Sequence, residues 1–206
     1  KDDFNIPTLI LGNFANIIIF TSRIVSGSDG GDSITYFAYA IFLLNAILTA
    51  VIANVSTLLL KKLSVKKDSK FMLYSLLISV VVGIMLVFGL HWYGQKLVEL
   101  IFVRGNFEPS DAIETTKYLK ELSYSFIFIF IATTFFQPFF SLKVEESNKQ
   151  RKDMSKIFIS TIIFSIVFAL TQDYGVELES LIVIYTCSVV SLVLSIYSYV
   201  FYLKKE

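Results

Sequence analysis

The sequence has few of the residues that soluble proteins expose to water. Only 17% of its 206 residues are charged and 55% are hydrophobic, whereas about a quarter of the residues of a soluble domain are charged. The mean hydropathy is +0.68. The net charge of +1 leaves no basic face for nucleic acid once the lysine clusters are assigned to loops. The composition therefore predicts a membrane protein with no nucleic-acid partner.

Cysteine and histidine are almost missing. The single cysteine, Cys187, lies in an apolar run and has no partner for an intrachain disulfide. No group of His, Cys, Asp and Glu residues has the spacing of a metal site or of a catalytic nucleophile. The single histidine, His91, stands beside Trp92 and Tyr93, which fits an interfacial aromatic belt better than a ligand role. The sequence thus predicts no enzyme, no catalytic residue, no metal and no cofactor.

Carboxylates are missing from the middle of the apolar segments. All 17 acidic residues fall in predicted loops or within about a turn of the end of a predicted span. Intramembrane acidic residues are the usual mark of proton relays and ion sites. The chain therefore offers no proton relay of its own.

Six apolar segments follow one another along the chain, each close to the roughly 20 residues that a helix needs to cross the hydrocarbon core. The predicted spans cover residues 6–25, 34–60, 71–93, 122–142, 157–176 and 181–203. They predict an all-α polytopic membrane bundle that forms a single lobe over residues 1–206. A polar stretch over about 94–121 separates two triplets of spans and is predicted to be a loop.

The basic residues predict the orientation, because Lys and Arg near the ends of spans are retained in the cytoplasm. Five of the 18 lie between the second and third spans, and five, including Arg151, lie between the fourth and fifth. The first and fifth loops carry none. Both termini are therefore predicted to be cytoplasmic and the central loop external.

Arg23 is the only basic residue inside an apolar run. Its side chain could extend to the lipid headgroups or pair with Asp29 or Asp32. Alternatively, it could face a polar cavity and contact an anion such as a phosphate. The residues alone leave both interpretations open.

Two stripes of small and polar residues repeat at helical spacing. One lies on the second span and the other on the sixth, and they consist of Ala38, Asn45, Thr49 and Ser56, and of Ser188, Ser191, Ser195 and Ser198. Each stripe could allow helices to pack closely or could line a hydrated cavity. Late in the fourth span, Pro138 frees the carbonyl of Thr134, which predicts a helix kink.

Two strings are specific enough to suggest a family. They are Ile34-Thr-Tyr-Phe-Ala-Tyr39-Ala40, before a long helix and a lysine-rich loop, and Leu100-Ile-Phe-Val-Arg104-Gly105-Asn-Phe107, before Asp111 and Thr115-Thr116. Together with Pro138-Phe139-Phe140-Ser141, they make the chain resemble the MurJ/MviN family of lipid-linked oligosaccharide flippases. The resemblance spans nearly the whole chain but covers only the second six-helix lobe of the family.

The resemblance implies a two-lobed transporter of the bacterial inner membrane. Such a protein alternates access to a central cationic cavity and moves an undecaprenyl-pyrophosphate-linked peptidoglycan precursor, lipid II, with membrane lipid and a second six-helix lobe as partners. Arg23 falls where the second lobe of the family commonly has an arginine, 17 residues before Ala40. The resemblance favours a cavity position for Arg23, which joins Asn45, Thr49 and Ser56 of the second-span stripe as candidate cavity residues. It also makes Arg104, Gly105, Phe107 and Asp111 a structural motif.

Two functions are compatible with these residues and this resemblance. The first is part of a flippase for a polyprenyl-pyrophosphate-linked saccharide. The second is a non-transporting membrane scaffold or partner subunit that keeps the fold without the cargo site. The scaffold is favoured by Ile41 and Phe42, which stand where the family commonly has an acidic and a basic residue, and by the lack of intramembrane carboxylates.

Overall fold

The computed structural model describes residues 5–26, 32–63, 69–172 and 176–205, all but a few of them helical. Within these ranges the chain forms seven helices and no strand. They are α1 (Ile6–Gly12), α2 (Phe14–Ser26), α3 (Asp32–Leu63), α4 (Ser69–Phe102), α5 (Pro109–Phe140), α6 (Val144–Gln172) and α7 (Val176–Lys204). The predicted all-α membrane bundle is therefore confirmed.

Four helices, α4 to α7, are each long and apolar enough to cross a membrane. The bent pair of α1 and α2 would make a fifth span. The predicted span over 34–60 lies in α3, of which Ile34–Ala50 is described as an apolar helix, while the side chains of residues 51–63 lie outside the described part. The count of six spans therefore stays a prediction.

Helix α5 is the centre of the bundle. It packs along α3, α4 and α7, and 67% of its most apolar stretch is buried in the protein, compared with 28% for α4 and for α6. The outer helices direct large apolar side chains outwards, among them Met85 and Phe88 on α4 and Phe164 on α6. Lipid tails are as apolar as these side chains, so such faces suit contact with lipid.

The central polar stretch is much shorter than the loop predicted over 94–121. Helix α4 continues to Phe102 and α5 begins at Pro109, so only residues 103–108 are not helical. The sequence misleads here because the exposed faces of helix ends are as polar as a loop. The hidden helical signal is the buried series Ala112, Thr115 and Leu119, which recurs every three or four residues.

Side chains close the α4–α5 turn. The Arg104 Nε and Nη2 atoms both donate to the Ile101 carbonyl, at 3.1 and 2.9 Å, which satisfies an end carbonyl of α4. Gly105 has a φ of 65°, in the left-handed region that glycine adopts without strain. Phe107 lies edge-on to Tyr39, with ring centroids 5.2 Å apart. The turn is thereby fixed to α3 by aromatic contact.

Asp111 makes the second connection between this turn and α3. Its Oδ2 atom accepts the Glu108 main-chain N–H at 2.8 Å, which caps the start of α5. Its Oδ1 atom accepts the Tyr36 hydroxyl at 2.7 Å. The side chains between Arg104 and Asp111 therefore shape this turn and hold it against α3.

The basic stretch over 143–156, predicted as a cytoplasmic loop, instead forms the first turns of α6. This helix begins at Val144 and has Glu145 and Glu146 in its first turn, where their charge complements the helix dipole. It runs to Gln172, so it is longer than the span predicted over 157–176, of which residues 173–175 lie outside the described part.

Arg151 is not the loop cation that the orientation prediction took it to be. Its side chain is only 1% exposed, and it donates four hydrogen bonds. Nε donates to the Ser147 hydroxyl at 2.8 Å and Nη1 to the Thr8 hydroxyl at 2.9 Å. Nη2 donates to the carbonyls of Phe139, at 3.3 Å, and Leu142, at 3.1 Å. A single guanidinium therefore joins α1, the end of α5 and the start of α6.

The position of Arg151 has an electrostatic reason. The carbonyls at the end of a helix carry partial negative charge and have no partner within the helix. The guanidinium supplies donors to them and also lies over the rings of Phe139 and Phe140, with Cζ 5.0 and 5.8 Å from the ring centroids. Cation–π attraction strengthens when the cation is removed from water. The buried charge is thereby compensated.

Gly105 in the α4–α5 turn and Gly89 inside α4 give a first test of the turn geometry. An added Cβ would meet nothing within 4 Å at Gly105 or at Gly89, but only Gly105 has a positive φ. We expect Gly105→Ala to lower the free energy of unfolding by about 1–2 kcal/mol and helical Gly89→Ala to raise it by about 0.5–1 kcal/mol. Unfolding in mixed micelles with increasing denaturing detergent measures both. Equal effects of the two substitutions would contradict the turn geometry.

Arg151 gives a second test. Replacing it in Arg151→Met removes the donors to Phe139, Leu142 and Thr8, and we expect the free energy of unfolding to fall by on the order of 3 kcal/mol. The neighbouring Lys152 is exposed, so Lys152→Met is the matched control and is expected to change little. The same detergent titration measures both variants, and a similar loss for each would show that Arg151 is not a structural centre.

Candidate cavity at the broken first helix

The first predicted span, over residues 6–25, is divided into two helices that meet at an angle of 72°. Asn13 stands at the break. Its main-chain N–H donates to the carbonyls of Leu9, at 3.1 Å, and Ile10, at 3.2 Å, and its Nδ2 atom donates to the Leu9 carbonyl at 2.9 Å. Asparagine side chains compete in this way for main-chain partners. The Gly12-Asn13 pair was the sequence signal for the break.

A partly open cavity of about 170 Å³ lies inside this corner, between the α1–α2 break, α3 and α5. Its polar lining side chains come from three helical segments. They are Asn13 and Asn16 at the break, Asn45 and Thr49 on α3, and Thr133 and Gln137 on α5. Non-helical backbone at membrane depth is tolerated where it lines a cavity, which makes the break and the cavity parts of one feature.

The polar groups of the cavity are neutral. On α3, the Thr49 hydroxyl donates to the Asn45 Oδ1 atom at 3.5 Å. On α5, the Thr133 hydroxyl donates to the Ile129 carbonyl at 2.9 Å, and Gln137 is 7% exposed. None of the described residues that line the cavity is charged. The described lining can therefore exchange hydrogen bonds and carries no charge of its own.

Aromatic rings form another part of the cavity wall. Phe14, Phe136 and Phe140 line it. The ring centroids of Phe14 and Phe136 are 5.4 Å apart, and those of Phe136 and Phe140 are 5.6 Å apart, in a nearly parallel stack. Such rings give a rigid apolar surface beside the amides.

The structure brings together only some of the predicted cavity residues. Asn45 and Thr49 line the cavity, but Arg23 is exposed in the last turn of α2, about 10 Å farther along the helix axis than Asn16. The Ser56 side chain lies outside the described residues, as do Asp29 and the Asp32 side chain. Contact between Arg23 and an anion therefore stays a prediction, and the cavity does not depend on it.

The serine stripe on α7 belongs to a packing surface. All four of its serines are buried, with at most 1% exposure, and they are Ser188, Ser191, Ser195 and Ser198. Ser188 donates back to the Ile184 carbonyl at 2.6 Å and Ser195 to the Leu192 carbonyl at 2.7 Å. Small hydroxylated residues allow α7 to approach its neighbours closely, so the packing interpretation is the better one here.

Pro138 and His91 lie outside the cavity lining. Pro138 is in the last turn of α5, which ends at Phe140, so the predicted kink has only two helical residues beyond it. His91 Nδ1 lies 2.9 Å from the Val87 carbonyl and its Nε2 atom 3.0 Å from the Tyr124 hydroxyl, which joins α4 to α5. Trp92 next to it is 77% exposed, as an interfacial aromatic residue would be.

These features define a polytopic α-helical membrane protein whose first span is broken around a neutral polar cavity. Residues 5–206 match the family model described as "Lipid II flippase MurJ", and the chain therefore belongs to the MurJ family. The predicted resemblance of the chain to this family is confirmed. Searches of curated proteins and of solved structures gave no match. In the described residues, no group of three or more His, Cys, Asp or Glu side chains could hold a metal ion.

Thiol labelling tests whether water reaches the cavity. In a Cys187→Ser background, we expect Thr49→Cys and Thr133→Cys to react with a membrane-impermeant thiol reagent, because both positions line the cavity. Ser195→Cys is the matched control and should stay unlabelled, because Ser195 is fully buried. Labelling is read by the mass shift of the protein in membrane vesicles that are open to the reagent on both sides. Failure of both cavity positions to react would contradict a hydrated cavity.

Proposed function

We propose that this chain is part of a flippase that moves a polyprenyl-pyrophosphate-linked saccharide, a lipid II-like peptidoglycan precursor, across the bacterial cytoplasmic (inner) membrane. It works by alternating access and corresponds to the second six-helix lobe of its family. The observation that carries this proposal is the polar cavity at the broken first helix. Family membership supports a flippase function of this general kind.

A broken helix is the usual way in which transporters build a substrate site in the membrane. The ends of the half-helices expose main-chain groups near the middle of the bilayer, and the site forms where two lobes meet. Asn13 lies seven residues after the start of α1, or about 10 Å along the helix. That depth suits a cargo headgroup that passes through the membrane interior.

The packing of the lobe suits rigid-body rocking. Helix α5 is held along its length by α3, α4 and α7, and α2 packs along α7, while α2 touches α3 only briefly. Arg151 in turn fixes α1 to the α5–α6 turn. The lobe would therefore move as a unit against a second six-helix lobe, in the same longer chain or in another subunit, with the saccharide between them.

The scaffold alternative is favoured by one specific observation. A pyrophosphate is best held by charge-assisted hydrogen bonds from Arg or Lys, and no charged side chain lines the cavity in the described residues. A lobe that kept the fold and lost the cargo would have such a lining. If the chain transports a pyrophosphate-linked cargo, the Arg or Lys side chains that contact the pyrophosphate must lie outside this cavity.

A transport measurement separates the two functions. We expect the native protein to restore lipid II to the outer leaflet of bacteria whose own flippase has been switched off, as measured by its cleavage with an externally added hydrolase. Asn13→Leu should lower this restoration about tenfold, because a continuous helix would remove the corner that transport needs. Asn106→Leu, in the exposed α4–α5 turn, is the control. Correctly inserted native protein that restores nothing would favour the scaffold.

A further inference from the structure

An apolar crevice lies between α3 and α4, with α5 as its floor. Both α3 and α4 pack along α5, but in the described part of the chain they have no comparable contact with each other. The described residues that line the crevice are all apolar side chains or glycine, and among them are Leu44 and Ile47 on α3, Val82 and Leu86 on α4, and Phe126 and Ile127 on α5. Such a space offers water no hydrogen bond, so it favours hydrocarbon.

Gly83 keeps the crevice open. It is one of the lining residues, and an added Cβ would lie 3.4 Å from the Ile127 Cγ1 atom on α5. A larger side chain at this position would therefore project into the space between the helices. An added Cβ at Gly89, on the same helix, would meet nothing within 4 Å, and Gly89 does not line the crevice.

The crevice opens on the lipid-facing surface of the bundle. Its rim residues Val82 and Leu86 are partly exposed, and Met85 beside them is 67% exposed. Trp92, the interfacial aromatic residue, comes six residues after Leu86, which is about 9 Å along the helix. The crevice therefore lies at the depth of the lipid tails, below the interface that Trp92 marks.

The size of the crevice excludes most occupants. Its volume is about 20 Å³, and roughly 10–15 Å³ is enough for one water molecule. A helix with side chains is far too wide, and a prenyl chain carries a methyl branch on every unit. A straight hydrocarbon chain is only one methylene group wide, so it can lie along the furrow between α3 and α4.

We propose that this crevice binds one straight fatty-acyl chain of a membrane phospholipid, with the headgroup toward Trp92. The chain fills the gap between α3 and α4, where neither helix packs on the other. Leu48 lines both this crevice and the polar cavity, so the two spaces lie on adjacent faces of α3. The bound chain thereby supports the helix that carries Asn45 and Thr49. Because the ligand is a membrane lipid and not the cargo, this inference does not rest on the proposed flippase function.

The test uses the protein in lipid nanodiscs that contain a small amount of phosphatidylglycerol with a photoreactive diazirine in the middle of one acyl chain. After irradiation, peptide mass spectrometry should locate the label on Leu44 or Phe126. These side chains are 1% and 2% exposed, so lipid at the outer surface does not reach them. Met85 should be labelled by the surrounding lipid in every variant, which shows that the probe is active.

Two glycine variants identify the site. We expect Gly83→Leu to lower the labelling of Leu44 and Phe126 about tenfold, because its side chain takes the place of the acyl chain. Gly89→Leu, the matched control on the same helix, should leave this labelling unchanged. A polyprenyl phosphate with a diazirine in its chain, used in the same way, should label Met85 but neither buried residue.

Each contrary result overturns the inference. These results are no label on Leu44 or Phe126 in the unaltered protein, labelling that persists in Gly83→Leu, or equal labelling of both residues by the polyprenyl probe. The last result would assign the crevice to a prenyl tail. If Gly83→Leu does not fold, as judged by helical circular dichroism, Val82→Phe at the rim replaces it and is expected to lower the labelling in the same direction.

Discussion

The main-chain groups at the end of a helix have no partner within the helix, and at three places in the described chain a polar side chain supplies one. At the first break, the Asn13 side chain donates to the Leu9 carbonyl. At the end of α4, Arg104 donates to the Ile101 carbonyl. At the end of α5, Arg151 donates to the carbonyls of Phe139 and Leu142. Three polar side chains thus stabilise three departures from helical structure.

These three groups act on different parts of the lobe. Arg104 and the turn after it hold α4 and α5 to α3, while Arg151 holds α1 to the junction of α5 and α6. The central helix α5 is therefore fixed at both ends. What remains unfilled is the corner at Asn13, where α1 bends away from α2 and leaves space against α3 and α5.

The chain belongs to the MurJ family, which is described as a family of lipid II flippases. A cargo of this kind has an apolar tail, a charged linkage and a neutral sugar, and no single environment suits all three. The outward apolar faces of α4 and α6 suit the lipid tails. The described cavity lining carries no charged side chain that could pair with the linkage.

The sequence by itself determined that the protein lies in a membrane, that it is all helical and that it resembles one family. The apolar runs reveal the membrane location and the helical class, because such runs can satisfy their main-chain groups in lipid only as helices. The family could be recognised because the Arg104 to Asp111 string is local and specific. The predictions from the sequence failed at Arg151 and over residues 94–121, since a basic or polar residue looks the same on a loop, on an exposed helix face and in a buried contact. Only the tertiary structure decided these cases. It paired Arg151 with α1 and α5, and it joined Asn45 to Gln137 and Asn16 around one cavity while leaving Arg23 outside, because burial depends on neighbours that are distant in sequence.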